Sequence, residues 1–253
     1  MRQLPAVVAV AAAGILVTAC GGGNGGGTAS SSTTTTTTTA SKAPVAQAAL
    51  PSFLLTLAEV DSALGVTGSK NDKTLDTLQE DKTADVFPKT YKFPPECLYI
   101  TGEALTAVYA GSGNTAVHGE RDTASAPAGS SDPDPEITQF VVLFPTAQQA
   151  SAFFTTSSQR WPACANRQET VPASDPDSPD IQWKVGPVSN ANGVLSTTVG
   201  VTLSKGGQSM SQSCQRALTV RNNVVIDTEA CRTNPGDAGV NVANQIAGKV
   251  DKQ

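Results

Sequence analysis

Histidine, aromatic residues and charge are all scarce in this chain. It has one histidine in 253 residues, with 5% aromatic and 15% charged residues. A lone histidine, His118, and the lack of any CxxC pair argue against zinc, which draws on clusters of His and Cys. Any Ser-His-Asp arrangement would also have to use His118, which lies in a Gly-rich stretch expected to be an exposed loop. No G-x-S-x-G elbow accompanies it. No P-loop or dinucleotide fingerprint follows an apolar run. Basic residues are few and scattered: without Arg2, 16 of the 17 remain against 22 acidic ones. Such a chain lacks the basic face that nucleic-acid binding needs, and it has no electrostatic hold on anionic lipid head groups. Beyond the N-terminus no apolar run approaches the roughly 20 residues of a membrane span.

What is present begins at the N-terminus. Arg2, the apolar run Val7 to Ala19 and the sequence Val17-Thr18-Ala19-Cys20 form a lipoprotein signal peptide over residues 1–19. Cys20 is the expected lipidation site. Two acyl chains hold a protein on a membrane where one is marginal, since each buried methylene contributes about 0.8 kcal/mol. The expected address is the extracytoplasmic side of the plasma membrane, with the membrane itself as a partner through the anchor. Residues 20–49 are dominated by Gly, Ser, Thr and Ala, with the run Thr33 to Thr39. That composition cannot bury enough surface to offset its ordering entropy, so these residues read as a disordered tether.

The remaining residues, 50–253, suffice for one domain. Short apolar runs bounded by turn residues predict strands at Cys97 to Thr101, Ile137 to Phe144, Ile181 to Val185, Val194 to Leu203 and twice near the C-terminus. Helical spacing appears from Ser52, as N-cap, to Leu64 before Gly65. It recurs at Ala147, Ala150, Phe153 and Phe154 with Trp161 beyond, and at Val242, Ala243, Ile246, Ala247 and Val250. Helices alternating with sets of strands predict an α+β fold, an antiparallel sheet flanked by helices. Two polar stretches, about 111–136 and 170–180, are expected as exposed loops.

With Cys20 assigned to lipid, four cysteines remain, allowing three connectivities. Asn222-Asn223 fits a two-residue type I′ turn, because Asn tolerates positive φ. Closing there sets Arg221 opposite Val224, Arg216 opposite Glu229 and Cys214 opposite Cys231. The cysteines then fall at a non-hydrogen-bonded position, where side chains approach most closely. Cys214–Cys231 is therefore expected as one disulfide, leaving Cys97–Cys164 as the other.

Several stretches, taken in order, resemble the PknH-type extracellular sensor domain, found outside the membrane on a mycobacterial serine/threonine kinase and in many lipoproteins. They are Leu54-Leu55-Thr56-Leu57-Ala58-Glu59-Val60 through Gly65, Pro95-Glu96-Cys97, Val141-Val142-Leu143-Phe144 and Trp161-Pro162-Ala163-Cys164. The last is Cys214-Gln215-Arg216-Ala217-Leu218 through Asn223-Val224-Val225-Ile226-Asp227 to Cys231. The resemblance implies an antiparallel sheet flanked by helices, the same two disulfides and a cleft proposed to bind a ligand. It assigns no ligand-binding residue individually.

Two acidic groups, Asp132, Asp134 and Glu136, and Asp175, Asp177 and Asp180, invite a calcium reading. Calcium takes six to eight oxygens around a bend, whereas these loops are stiffened by proline, so solvated loops are expected. Glu59, Asp61 and Glu96 are the carboxylates from which a glycosidase pair could be drawn. The expected function is a non-catalytic, membrane-anchored module binding a small molecule, lipid or cell-wall fragment, without cofactor or metal. A lipoprotein docking on another envelope protein is the alternative.

Overall fold

The structure, a computed structural model, describes residues 42–253. Cys20, the signal peptide and most of the expected tether lie outside them. The described chain is one compact unit from Lys42 to Gln253.

Nine strands form one antiparallel sheet: β1 Lys70–Leu75, β2 Ala116–Thr123, β3 Glu136–Leu143, β4 Gln168–Val171, β5 Asp180–Val185, β6 Ser189–Ala191, β7 Val194–Lys205, β8 Gln208–Arg221 and β9 Val224–Cys231. Their order is β1-β2-β3-β9-β8-β7-β5-β4, with β6 pairing β7. Helices cover both faces: α1 Leu57–Leu64, α2 Thr83–Val86, α3 Leu98–Thr101, α4 Thr106–Tyr109, α5 Ala147–Arg160 and α6 Ala238–Val250.

Period-two alternation sends β3 and β9 side chains to two separate cores. Ile137, Val141, Val224 and Ile226 pack beneath α1 and α6. Phe140, Val142, Phe144 and Val225 pack beneath the segment carrying α3, α4 and α5. On the first face, side-chain amides stand in for strands. Gln139 accepts from Leu55 N–H (2.7 Å) and donates to Leu55 C=O (3.2 Å). Asn223 does the same for Val45, at 2.7 and 3.2 Å. Val45 and Leu50 are buried, and Gln47–Phe53 forms a 3-10 helix. The folded region therefore starts before residue 50, and the tether boundary placed at residue 49 is too late. On the same face Gly239 opens α6 against β8, where a Cβ would lie 2.3 Å from the Gln215 carbonyl oxygen.

Other expectations shift for identifiable reasons. Ser52 does not cap the first helix. Thr56 does, in a capping box with Glu59, and Gly65 ends the helix at φ 66° as expected. Cys97 to Thr101 is helical, because Pro95 opens a 3-10 turn that runs on into α3. The stretch 111–136 contains β2, whose pairing with β3 outweighs its polar composition. The expected C-terminal hairpin has the register worked out above, with Arg221 opposite Val224 and Cys214 opposite Cys231. Of the two turn residues only Asn222 has positive φ, so the I′ geometry holds at one position of two. Both cysteine pairs are disulfides, Cys97–Cys164 and Cys214–Cys231, with Cα separations of 5.1 and 3.9 Å.

Candidate functional site

A cleft of about 300 Å³ opens on the α3–α5 face of the sheet. Its floor is set by strand alternation: Arg121 on β2, Glu136 on β3, Glu229 on β9, Val199 and Val201 on β7 and Trp183 on β5. Its roof is the segment from Gln79 to Leu105, which contributes Val86, Phe87, Phe93, Leu98 and Glu103.

Two devices hold the roof over the sheet. Arg216 and Asp227, 1% and 3% exposed, pair at 2.6 Å. Arg216 donates to Gly102 C=O at 3.0 Å, while Asp227 accepts from Ala104 N–H at 2.9 Å and from Tyr109 O–H at 3.1 Å. Ala104 sits at φ 46°, where a side chain is disfavoured, so these bonds fix a backbone that would otherwise relax. The register places Arg216 opposite Glu229, as expected, but its short ion pair goes to Asp227. The second device is aromatic. Phe93 lies 5.0 Å from Trp183 and 5.4 Å from Phe87. Trp183 Nε1–H donates to Tyr91 Oη at 3.0 Å. Burial, with Glu169 beside it, pushes the Tyr91 phenol up to about 12.

The floor is electrostatically frustrated. Burial raises the Glu229 carboxyl well above the ordinary glutamate value, and neighbouring Glu103, which hydrogen-bonds it, raises it further; Arg216 opposes both. Glu229 keeps a partly exposed edge on the cleft, yet its carboxyl is surrounded by protein. Burial also raises Glu136, against the pull of Arg121 at 3.8 Å. An aromatic wall over a floor of carboxyls and one accessible guanidinium can hold an apolar body while orienting a polar group. A wider groove of about 580 Å³, by Pro95, Tyr99 and Arg160, is lined mainly by short helical segments and lacks this buried floor.

The other sequence candidates lie elsewhere. His118 is on β2, not in a loop; its side chain is 14% exposed, and Nδ1 meets Asp76 at 2.7 Å. Asp134 accepts from Ala126 N–H, Asp175 from Asp177 and Ser178 N–H, and Asp180 from Ala173 N–H, so these carboxylates order their own loops. Glu136 has left its group for the cleft. Glu59 closes the capping box of α1, Asp61 accepts from Gly68 and Ser69 N–H beyond that helix, and Glu96 pairs with Arg167, so the three do not share a site. Phe153 and Trp161 are core, with Phe153 stacked on Tyr109 at 4.2 Å. Among the described residues one group has metal-ligand spacing, Cys214, Glu229 and Cys231, and its sulfurs are joined in the disulfide.

Residues 45–249 match the family model described as the PknH-like extracellular domain. The chain is 30% identical over 214 residues to the serine/threonine-protein kinase PknH of Mycobacterium bovis, covering 83% of this chain and 32% of that one. The Mycobacterium tuberculosis PknH matches at the same identity, with 30% of its length covered. The chain thus spans about a third of the length of these kinases. The crystal structure of the extracellular domain of PknH from Mycobacterium tuberculosis superposes with a TM-score of 0.66 at 29% identity, covering 83% of this chain and 99% of that one. The likeness is to the extracellular domain of a kinase and not to its catalytic domain, and the chain belongs to the PknH-like extracellular domain family.

Proposed function

We propose that this domain is a non-catalytic binding module, held outside the plasma membrane by lipid on Cys20, whose cleft takes a small molecule, lipid or cell-wall fragment. The observation that carries the reading is the cleft itself: an aromatic wall and a charged, partly desolvated floor, under a roof held by the buried Arg216–Asp227 pair and by the partly buried aromatic cluster around Trp183. Such a floor suits an amphipathic ligand with a polar group that can bond to Glu103, Glu229 or Arg121. The family supports an extracellular setting, and no helix among the described residues is long and apolar enough to cross a membrane.

Native mass spectrometry of residues 42–253, kept oxidised and incubated with a mycobacterial envelope extract, tests the reading. The expected result is an added mass that disappears in Val86→Arg, since Val86 is half exposed at the cleft rim and its replacement blocks entry without disturbing the core. No adduct, or one indifferent to Val86→Arg, would move the assignment to a protein partner.

A further inference from the structure

β8 is longer than the neighbour that covers it. β9 pairs with Cys214 to Arg221, while Gln208 to Ser213 pairs with β7 alone apart from one bond, Arg232 N–H to Ser213 C=O at 3.0 Å. Register decides which backbone groups are left over. Lys205/Gln208 and Arg221/Val224 close two-residue turns, so even-numbered residues of β8 direct their N–H and C=O toward β7 and odd-numbered ones toward β9. Ser209 and Ser211 therefore point their backbone groups at an edge that no strand occupies among the described residues.

Sheet edges are normally blunted by charge, bulges, proline or shortness. β1 carries Lys70, Asp72 and Lys73 with a register break between Asn71 and Lys73. β4 has four residues and ends before Pro172. The β8 overhang has none of these devices. Its sequence, Gln208-Ser209-Met210-Ser211-Gln212, is uncharged and reads the same in both directions.

We propose that this overhang is a self-complementary edge through which two copies of the chain join their sheets in antiparallel fashion about a two-fold axis at Met210. In that register Ser209 of one copy lies opposite Ser211 of the other, and each serine's free N–H and C=O meets its complement. Met210 faces its own copy at a non-hydrogen-bonded position, where side chains come closest. Met210 is 52% exposed, one of three exposed large apolar side chains among the described residues. Gln208 meets Gln212, and no like charges oppose one another. The contact is isologous, as a closed dimer requires. It is small beside the ~1,600 Å² of a standard interface, so association is weak and concentration-dependent.

Thiol crosslinking of residues 42–253 tests the register. A solved relative consists of this domain alone, so the fragment is a fair sample. Met210→Cys is expected to form a covalent dimer under mild oxidation several-fold faster than Gln212→Cys, whose thiols are out of register. Adding Ser211→Pro to Met210→Cys should remove the advantage, because proline deletes an edge-facing donor and leaves the β7 ladder intact. Met210→Glu, folded by circular dichroism, should lower the dimer fraction seen by sedimentation at high concentration. Equal crosslinking rates, indifference to Ser211→Pro, or a wild-type protein that stays monomeric across the concentration range would overturn the proposal. Binding of another protein's extended segment by a monomer would do the same.

Discussion

The two faces of the sheet are built from the same strands and have opposite characters. On the α1 and α6 face, buried polar side chains are matched mostly to backbone, and the buried carboxyl of Asp122 is held by the amides of Gln139 (3.0 Å) and Asn71 (3.1 Å). Gln139 and Asn223 bind the N-terminal segment, and Thr228 donates to Gly239 C=O at 3.2 Å. On the α3–α5 face the polar groups are charged, with Arg216, Asp227, Glu229, Glu103 and Glu136 crowded at one end. The first face closes the fold, while the second spends burial on charge and keeps a cavity. A buried ion pair is weak support for stability, because desolvation offsets its attraction. Its role here is positional, since Arg216 and Asp227 reach the roof backbone at Gly102 and Ala104.

Substitutions on the two faces should therefore separate stability from site geometry. Arg216→Ala is expected to have the largest effect. It leaves Asp227 buried without its partner, at a cost of about 3–5 kcal/mol, and releases the roof, so urea unfolding should shift and any cleft-bound mass should vanish. Ile246→Ala removes a fully buried α6 side chain at a cost of about 2–5 kcal/mol. Below its unfolding transition that variant should keep cleft binding unchanged. Equal loss of binding in both variants would mean that the faces are not independent.

How much of this the sequence disclosed depended on whether the signal was local. The β8–β9 hairpin was legible in register and disulfide because the turn at Asn222-Asn223 and the two cysteines lie within one short stretch. The helices α5 and α6 were legible from spacing alone. Two further hairpins had equally local marks that went unread: Asn192-Gly193 between β6 and β7, at φ 53° and 75°, and Gly206-Gly207 between β7 and β8, at 59° and 81°. β1 and β2 gave no apolar alternation, since β2 is ordered by pairing with β3, and β1 in turn by pairing with β2. The cleft was invisible for a related reason. Arg121, Glu136, Trp183 and Glu229 come from four strands, Phe93 and Glu103 come from the roof, and no spacing in the chain links them.

A smaller effect with the opposite sign sharpens the comparison. Glu229 has its carboxyl raised by burial and by Glu103, so the folded state holds that proton more tightly than the unfolded one. Its contribution to stability is fully present below the unfolded value near 4.5 and is lost as pH rises through the higher folded value. Glu59 behaves in reverse: Lys249, 2.7 Å away, lowers its carboxyl, and its contribution fades as pH falls below 4.5 through the folded value. Glu229→Gln keeps a group that can donate to Glu103 and cannot ionise. Thermal unfolding should therefore show Glu229→Gln more stable than the parent at neutral pH, with the gain shrinking toward zero at pH 4.5. Gln139 and Asn223 on the α6 face offer no such gain, since replacing either removes bonds to Leu55 or Val45 at every pH. The comparable group on that face is Asp122, whose buried carboxyl is raised by desolvation against the hydrogen bonds of Asn71 and Gln139. A Glu229→Gln variant less stable than the parent at neutral pH would show that its charge is offset by Arg216, and the two faces would then differ in shape but not in electrostatic cost.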